Sequence, residues 1–155
     1  MSKAFCINEL CIDAEETDRL ELSLDLIFEV LADPSLRGWN GFGIVVQAYQ
    51  KRAPFVIDYI AHMAAKLDRR IPVRLVKGAY WDAEIKRAQM DGQAGYPLFT
   101  RKQNTDVSYL ANARRLLDAG NAIYPMFATH NAQTIATVHR MARAMRGRRD
   151  FEFQK

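Results

Sequence analysis

Val73-Arg74-Leu75-Val76-Lys77-Gly78-Ala79-Tyr80-Trp81-Asp82 opens as an apolar, β-branched run that carries an arginine and a lysine, then meets a glycine and two aromatics. Such a run reads as a buried strand of an α/β protein, with a helix opening at Asp82. In that class, ligands bind where the strands end. The stretch therefore predicts a strand whose carboxyl end presents chemistry.

Working towards the amino terminus, Arg69-Arg70 closes a helix that starts near Pro54, with Phe55, Ile57, Ile60, Ala61, Ala64 and Leu67 as its apolar stripe. Before it, Phe42 to Tyr49 is a strand, apolar until Gln47, and Asp33-Pro34 to Asn40-Gly41 is a turn-rich break. Leu20, Leu24, Ile27 and Leu31 mark a further helix, whose acid-rich first turn is read at Ala14 to Asp18. Ile7 to Ile12 is a short strand ending at Asp13.

Towards the carboxyl terminus, Asp82 to Met90 is a short helix and Asp91 to Pro97 a loop, long for a compact domain, which points to function. Thr105 caps a helix to Ala119, with Val107, Leu110, Ala111, Leu116 and Leu117 inward, and Gly120 stops it. Ile123 to Ala128 is a fourth strand ending in Thr129-His130. Asn131 caps the next helix, which carries Ile135, Val138, Met141 and Met145, and Phe151-Glu152-Phe153 begins a fifth strand.

The 155 residues, 49% hydrophobic and 26% charged, suit one globular domain and no second one. No apolar run approaches the roughly 20 residues that span a bilayer, and the amino terminus lacks the pattern of a signal peptide, so a cytoplasmic protein is expected. Cys6 and Cys11 lack metal-site spacing and read as buried free thiols, with no metal expected. Net charge is +4, and Arg140, Arg143, Arg146, Arg148 and Arg149 cluster late in the chain. Without interleaved aromatics or a reading motif they form a solvated face, not a nucleic-acid site. His62 and His139, both mid-helix, read as structural.

Alternating strands and helices imply βαβ crossovers and a parallel sheet. Two architectures compete, a complete five-stranded doubly wound domain for a small molecule or phosphate, and part of a (β/α)₈ barrel. The first should carry a glycine-rich turn after its first strand, yet Asp13-Ala14-Glu15-Glu16 places acids where a phosphate would sit. The strands end instead in Asp13, in Gln47, in Lys77 with Tyr80, and in Thr129 with His130. A barrel gathers residues of that kind from several strand ends into one site. Taken singly, each has a plainer reading: an ion pair for Arg74 or Lys77, a helix cap for Asp13, a turn residue for His130, core for Trp81.

DAEETDRLE, VVQAYQKR, RLVKGAYWDAEIKRAQMDG, NTDVSYLANARRLL and YPMFATHNAQT closely resemble the proline dehydrogenase domain of bifunctional proline utilisation A proteins, over essentially the whole chain. The resemblance implies a distorted (β/α)₈ barrel of TIM type, of which residues 1–155 would be the central portion, about five consecutive parallel strands. It implies FAD as cofactor, L-proline as substrate oxidised to Δ1-pyrroline-5-carboxylate on the way to glutamate, and a membrane quinone as electron acceptor. It also implies a separate aldehyde dehydrogenase domain in the parent protein, and a cytoplasmic protein that docks at the inner membrane.

By the same resemblance Asp13 matches an active-site aspartate, Gln47 a flavin-contacting glutamine, and Arg74 the arginine near flavin N5. Lys77, Gly78, Ala79, Tyr80 and Trp81 match the motif lining the flavin and substrate pocket, and Thr129 and His130 a flavin-binding pair. Asp13, Arg74, Lys77 and Tyr80 are the expected catalytic group. Physically, Arg74 or Lys77 would stabilise negative charge on a reduced flavin, and Asp13 would offset the arginine. Gly78 would let backbone approach the cofactor, and Tyr80 and Trp81 would form flat walls. The family's earlier active-site lysine, its arginine pair for the substrate carboxylate and a nearby tyrosine match nothing in these residues, so the chain alone is expected to be inactive.

Overall fold

The computed structural model describes residues 9–145 and 150–154. Five strands, Leu10–Ile12 (β1), Phe42–Gln47 (β2), Ile71–Val76 (β3), Ile123–Ala128 (β4) and Glu152–Gln154 (β5), alternate with five α-helices. These are Leu20–Leu31 (α1), Ala53–Lys66 (α2), Trp81–Met90 (α3), Lys102–Asp118 (α4) and Ala132–Ala144 (α5). Cys6, Arg146, Arg148, Arg149 and the start of the first expected strand at Ile7 lie outside the described residues.

All strand pairs are parallel and the sheet order is β1-β2-β3-β4-β5, the order of the chain. A doubly wound sheet reverses direction at a switch point so that helices cover both faces. Here there is no reversal. Crossovers of one hand taken always in the same direction stack their helices on one face, and this is the arrangement of consecutive barrel strands.

Side-chain parity agrees with it. Ile44 and Val46, Val73 and Leu75, and Ile123 and Phe127 point to the helices and form one core with Phe28, Ile57, Ile60, Tyr109, Leu116 and Val138. The alternate residues Val45, Arg74, Met126 and Glu152 are in register on the opposite face. Two apolar parities would be expected of a sheet covered on both sides. Placing Arg74 and Glu152 on one of them marks that face as a barrel interior, where polar groups meet each other.

Several local expectations need correction. Helix α1 begins at Leu20, after a short 3-10 turn at Thr17–Arg19, and residues 13–16 are irregular. Their polar groups are claimed from outside, since the Gln47 amide donates to the Glu15 carbonyl and the Glu84 carboxylate accepts from Thr17. Phe55 is 73% and Val107 69% exposed. Each lies two residues before a buried anchor, Ile57 and Tyr109, and so stands about 200° round its helix from the core. Ala111 is exposed and Leu110 half-buried. Thr105 is buried within α4, which starts at Lys102, instead of capping it. Asn131 does cap α5, its carboxamide oxygen accepting from the Thr134 amide at 3.0 Å. Cys11 is half-buried, and burial pushes its thiol up to about 11.

Candidate functional site

A cleft of about 570 Å³ opens at the carboxyl ends of the strands. Asp13 follows β1, Gln47 ends β2, Lys77, Gly78, Ala79 and Tyr80 follow β3, and Thr129 and His130 follow β4; all of them line it. Gln154 of β5 adds a wall that sequence reading stops one residue short of. Its signal is the alternation in Phe151-Glu152-Phe153-Gln154, which turns Glu152 and Gln154 to the face of Arg74. The Gln154 amide donates to Glu152 at 2.7 Å.

Arg74 is in register with Val45, which lines the cleft, although Arg74 is not itself one of the lining residues. Two strands away, Asp13 follows β1 so that its carboxylate reaches past Val45 and pairs with the Arg74 guanidinium. The Arg74 Nε atom is buried without a hydrogen-bond partner. Lys77 pairs with Asp106 on α4, which also accepts from Lys102 at 3.0 Å. Those lysines, Lys77 first, hold the Asp106 carboxyl below its ordinary range. Arg74 and Lys77 are thus each paired with an acid.

Trp81 stands apart from the cleft. With Tyr49, Lys77, Thr100 and Thr105 it lines a second recess of about 370 Å³ on the other side of Gly78, and its indole donates to the Phe99 carbonyl at 3.1 Å. Helical geometry explains the separation: Tyr80 is the residue before α3 and Trp81 its first, so their side chains diverge.

Gly78 has φ +138°, and a Cβ there would sit 2.4 Å from the Tyr49 ring. The close neighbour that demands glycine is thus a side chain of this chain. Tyr49 is 3% exposed; its hydroxyl accepts from the Tyr80 amide at 3.3 Å, and burial raises its pKa to about 12. The Tyr80 hydroxyl donates to Glu15 at 3.3 Å, and the Glu15 carboxylate pushes the phenol above its ordinary value. Tyr80 is therefore a neutral donor across the physiological range. Gln47, 3% exposed, donates to the Glu15 carbonyl at 2.9 Å and accepts from the Ala79 amide at 3.1 Å. Glu15, Tyr49 and Glu84 tie the loops around the cleft together, and sequence reading passes over them because nothing in their local spacing announces a contact across the fold.

Sequential parallel strands with a cleft at their carboxyl ends define the class as a barrel of the (β/α)₈ type. The family model for proline dehydrogenase matches residues 7–155, and the chain belongs to that family. It is 59% identical over 143 residues to the bifunctional protein PutA of Escherichia coli, a match covering 92% of this chain and 11% of the relative. A crystal structure of Bradyrhizobium japonicum proline utilization A superposes with a TM-score of 0.88 at 60% identity, covering 94% of this chain and 15% of that one. Proline utilization A of Bdellovibrio bacteriovorus, inactivated by N-propargylglycine, gives the same TM-score at 33% identity, with 94% and 15% covered. The chain thus spans only a small part of its relatives' length, and its strands fit a partial TIM-type barrel. Among the described residues no helix is long and apolar enough to cross a membrane.

Proposed function

We propose that residues 1–155 are one portion of a single FAD-dependent proline dehydrogenase barrel, carrying the cofactor-facing wall of a site that oxidises L-proline to Δ1-pyrroline-5-carboxylate. Oxidation of the substrate's C–N bond removes a hydride from carbon and a proton from nitrogen; bound FAD would supply the acceptor for the hydride, and the nitrogen's proton would pass to solvent. The residues suit such a group: the buried, unpartnered Arg74 Nε offers a donor, and Gln47, Thr129 and His130 line the adjoining cleft.

Arg74 and Lys77 hold positive charge at the cleft where negative charge accumulates in the reaction, and preorganised charge in a partly dry site is the largest lever a barrel has. Asp13 and Asp106 keep that charge balanced between turnovers. Tyr80 presents a flat, neutral donor at the mouth, and Gln47 fixes the loops that exclude water. In this reading Trp81, facing the second recess, walls the site from behind Gly78. The parent protein passes electrons to a membrane quinone, carries an aldehyde dehydrogenase domain that completes the path to glutamate, and is cytoplasmic, docking peripherally at the inner membrane.

The observation that carries the proposal is the convergence of Asp13, Gln47, Lys77, Tyr80, Thr129 and His130 from successive strand ends into one cleft. The test is a chimera in which this chain replaces the matched residues of the Escherichia coli relative. Proline-dependent reduction of an artificial dye is expected from the chimera, and its loss in the Asp13→Ala variant. A chimera that folds, binds FAD and fails to oxidise proline would refute the reading. The 155-residue chain alone, which has no arginine pair matching the family's carboxylate site, is expected to reduce no dye.

A further inference from the structure

Two loops frame the mouth of the cleft, residues 13–17 after β1 and residues 77–80 after β3. The first has no ladder of its own, since residues 13–16 belong to neither strand nor helix. Its placement depends on ties from elsewhere, and three join it to the second loop or its helix. Gln47 bridges the Glu15 carbonyl and the Ala79 amide, and Tyr80 donates to Glu15. The third tie lies behind the cleft and touches none of it.

That tie is Glu84. One carboxylate oxygen accepts from the Thr17 amide at 2.6 Å and the other from the Thr17 hydroxyl at 2.7 Å. Glu84 is 4% and Thr17 8% exposed. Both contacts are charge-assisted and shielded from water, the setting in which a hydrogen bond is strongest and its loss leaves a buried donor orphaned. The Glu84 amide also donates to the Tyr80 carbonyl at 3.0 Å, so Glu84 and Tyr80 move as one turn of α3. On the far side, the Thr17 carbonyl accepts from Arg52. Thr17 is thus held at its amide, hydroxyl and carbonyl, four residues after Asp13.

We infer that Glu84 and Thr17 form a latch that sets Asp13 and Glu15 at a fixed distance from Tyr80, making Glu84 a positioning residue of the active site although it lines neither recess. The inference rests on the function proposed above only for what the cleft does; the latch itself is a property of these residues. The chemistry also specifies which replacements are tolerated. Glutamine can accept from the Thr17 amide through its oxygen and donate to the Thr17 hydroxyl through its nitrogen, whereas alanine can do neither. Serine keeps the Thr17 contacts, whereas valine loses one.

Hydrogen exchange on the full 155-residue chain tests this. In Glu84→Ala, amides 14–19 and 79–82 should exchange about tenfold faster or more, with β2 to β4 unchanged, while Glu84→Gln and Thr17→Ser stay near wild type and Thr17→Val is intermediate. In the flavin-loaded chimera, Glu84→Ala should raise KM for proline and lower kcat/KM by about tenfold or more, with Glu84→Gln restoring most of it. Unchanged exchange of the two loops in Glu84→Ala, or equal damage from Glu84→Gln and Glu84→Ala, would overturn the latch. Should Glu84→Ala fail to fold, Thr17→Val and Thr17→Ser decide, and equal exchange in those two also overturns it. A wild-type chimera without proline activity refutes the proposed function alone and leaves the exchange pattern to judge the latch.

Discussion

Gly78→Ala is the sharpest perturbation available, because two independent costs fall on one added methyl group. The backbone sits at φ +138°, and the new Cβ would lie 2.4, 2.5 and 2.5 Å from three atoms of the Tyr49 ring. Ordinary contact begins near 3.4 Å, so the ring must retreat by about 1 Å. It has little freedom to do so. Tyr49 is 3% exposed, its amide donates to the Lys77 carbonyl at 2.8 Å, and its own carbonyl accepts from the Phe99 amide at 2.8 Å. Backbone strain of about 1–3 kcal/mol and overpacking of about 1–3 kcal/mol give a total of about 2–6 kcal/mol. That is a large part of the roughly 5–15 kcal/mol typical of a domain.

Gly92 supplies the control, since it has φ +62° and a methyl group added there would meet nothing within 4 Å. Gly92→Ala should therefore cost only the left-handed backbone term, about 1–2 kcal/mol. Urea unfolding of the 155-residue chain, followed by the fluorescence of its two tryptophans, Trp39 and Trp81, compares them. Gly78→Ala should be the more destabilising by about 1–3 kcal/mol. If the two variants prove equal, the packing of Tyr49 against Gly78 is not what demands glycine.

Two further outcomes follow from the ties across the cleft. Asp106→Asn should weaken the hold on Lys77 by up to about 1 kcal/mol at neutral pH, a partly exposed pair being screened. Because the folded Asp106 carboxyl titrates below its unfolded value, that contribution is complete above about pH 4 and is lost as pH falls through the folded value. Urea midpoints of the variant and the wild type should thus converge in acid; a difference constant down to about pH 3 would contradict the pairing. Gln47→Leu leaves the Glu15 carbonyl and the Ala79 amide without their partner, at a cost of about 1–3 kcal/mol for each group that stays dry. Thermal melts should fall accordingly, and an unshifted melt would show that water replaces the carboxamide freely.

Much of this fold is legible in the sequence because its strands are short apolar runs bounded by turns and its helices carry a stripe at regular spacing. The order of the strands is not legible in that way, and the acids at Asp13 to Glu16 favour a barrel only by making a phosphate turn untenable. The failures have a common cause. Phe55 and Val107 read as inward because they are apolar, but angle round the helix decides burial and both point away from the core. Trp81 and Tyr80 share one motif, yet the start of α3 between them turns the two side chains to different recesses, which no reading of the motif shows. Glu84 looks like one more surface acid in a polar helix. Only the fold reveals that it meets Thr17, 67 residues earlier in the chain. Site residues that end strands are readable one at a time; the groups holding them in place are not, since their partners lie across the sheet.

In the proposed enzyme, Arg74 and the strand-end residues around it form the flavin-facing wall of a proline-oxidising site. An anaerobic absorbance spectrum of the chimera, taken before and after addition of L-proline, tests it most directly. A flavin spectrum at close to one cofactor per chain that bleaches with proline is expected, and an Arg74→Leu variant should bleach far more slowly or lose its flavin. A folded chimera without flavin absorbance, or an Arg74→Leu variant that bleaches as the wild type does, would contradict it.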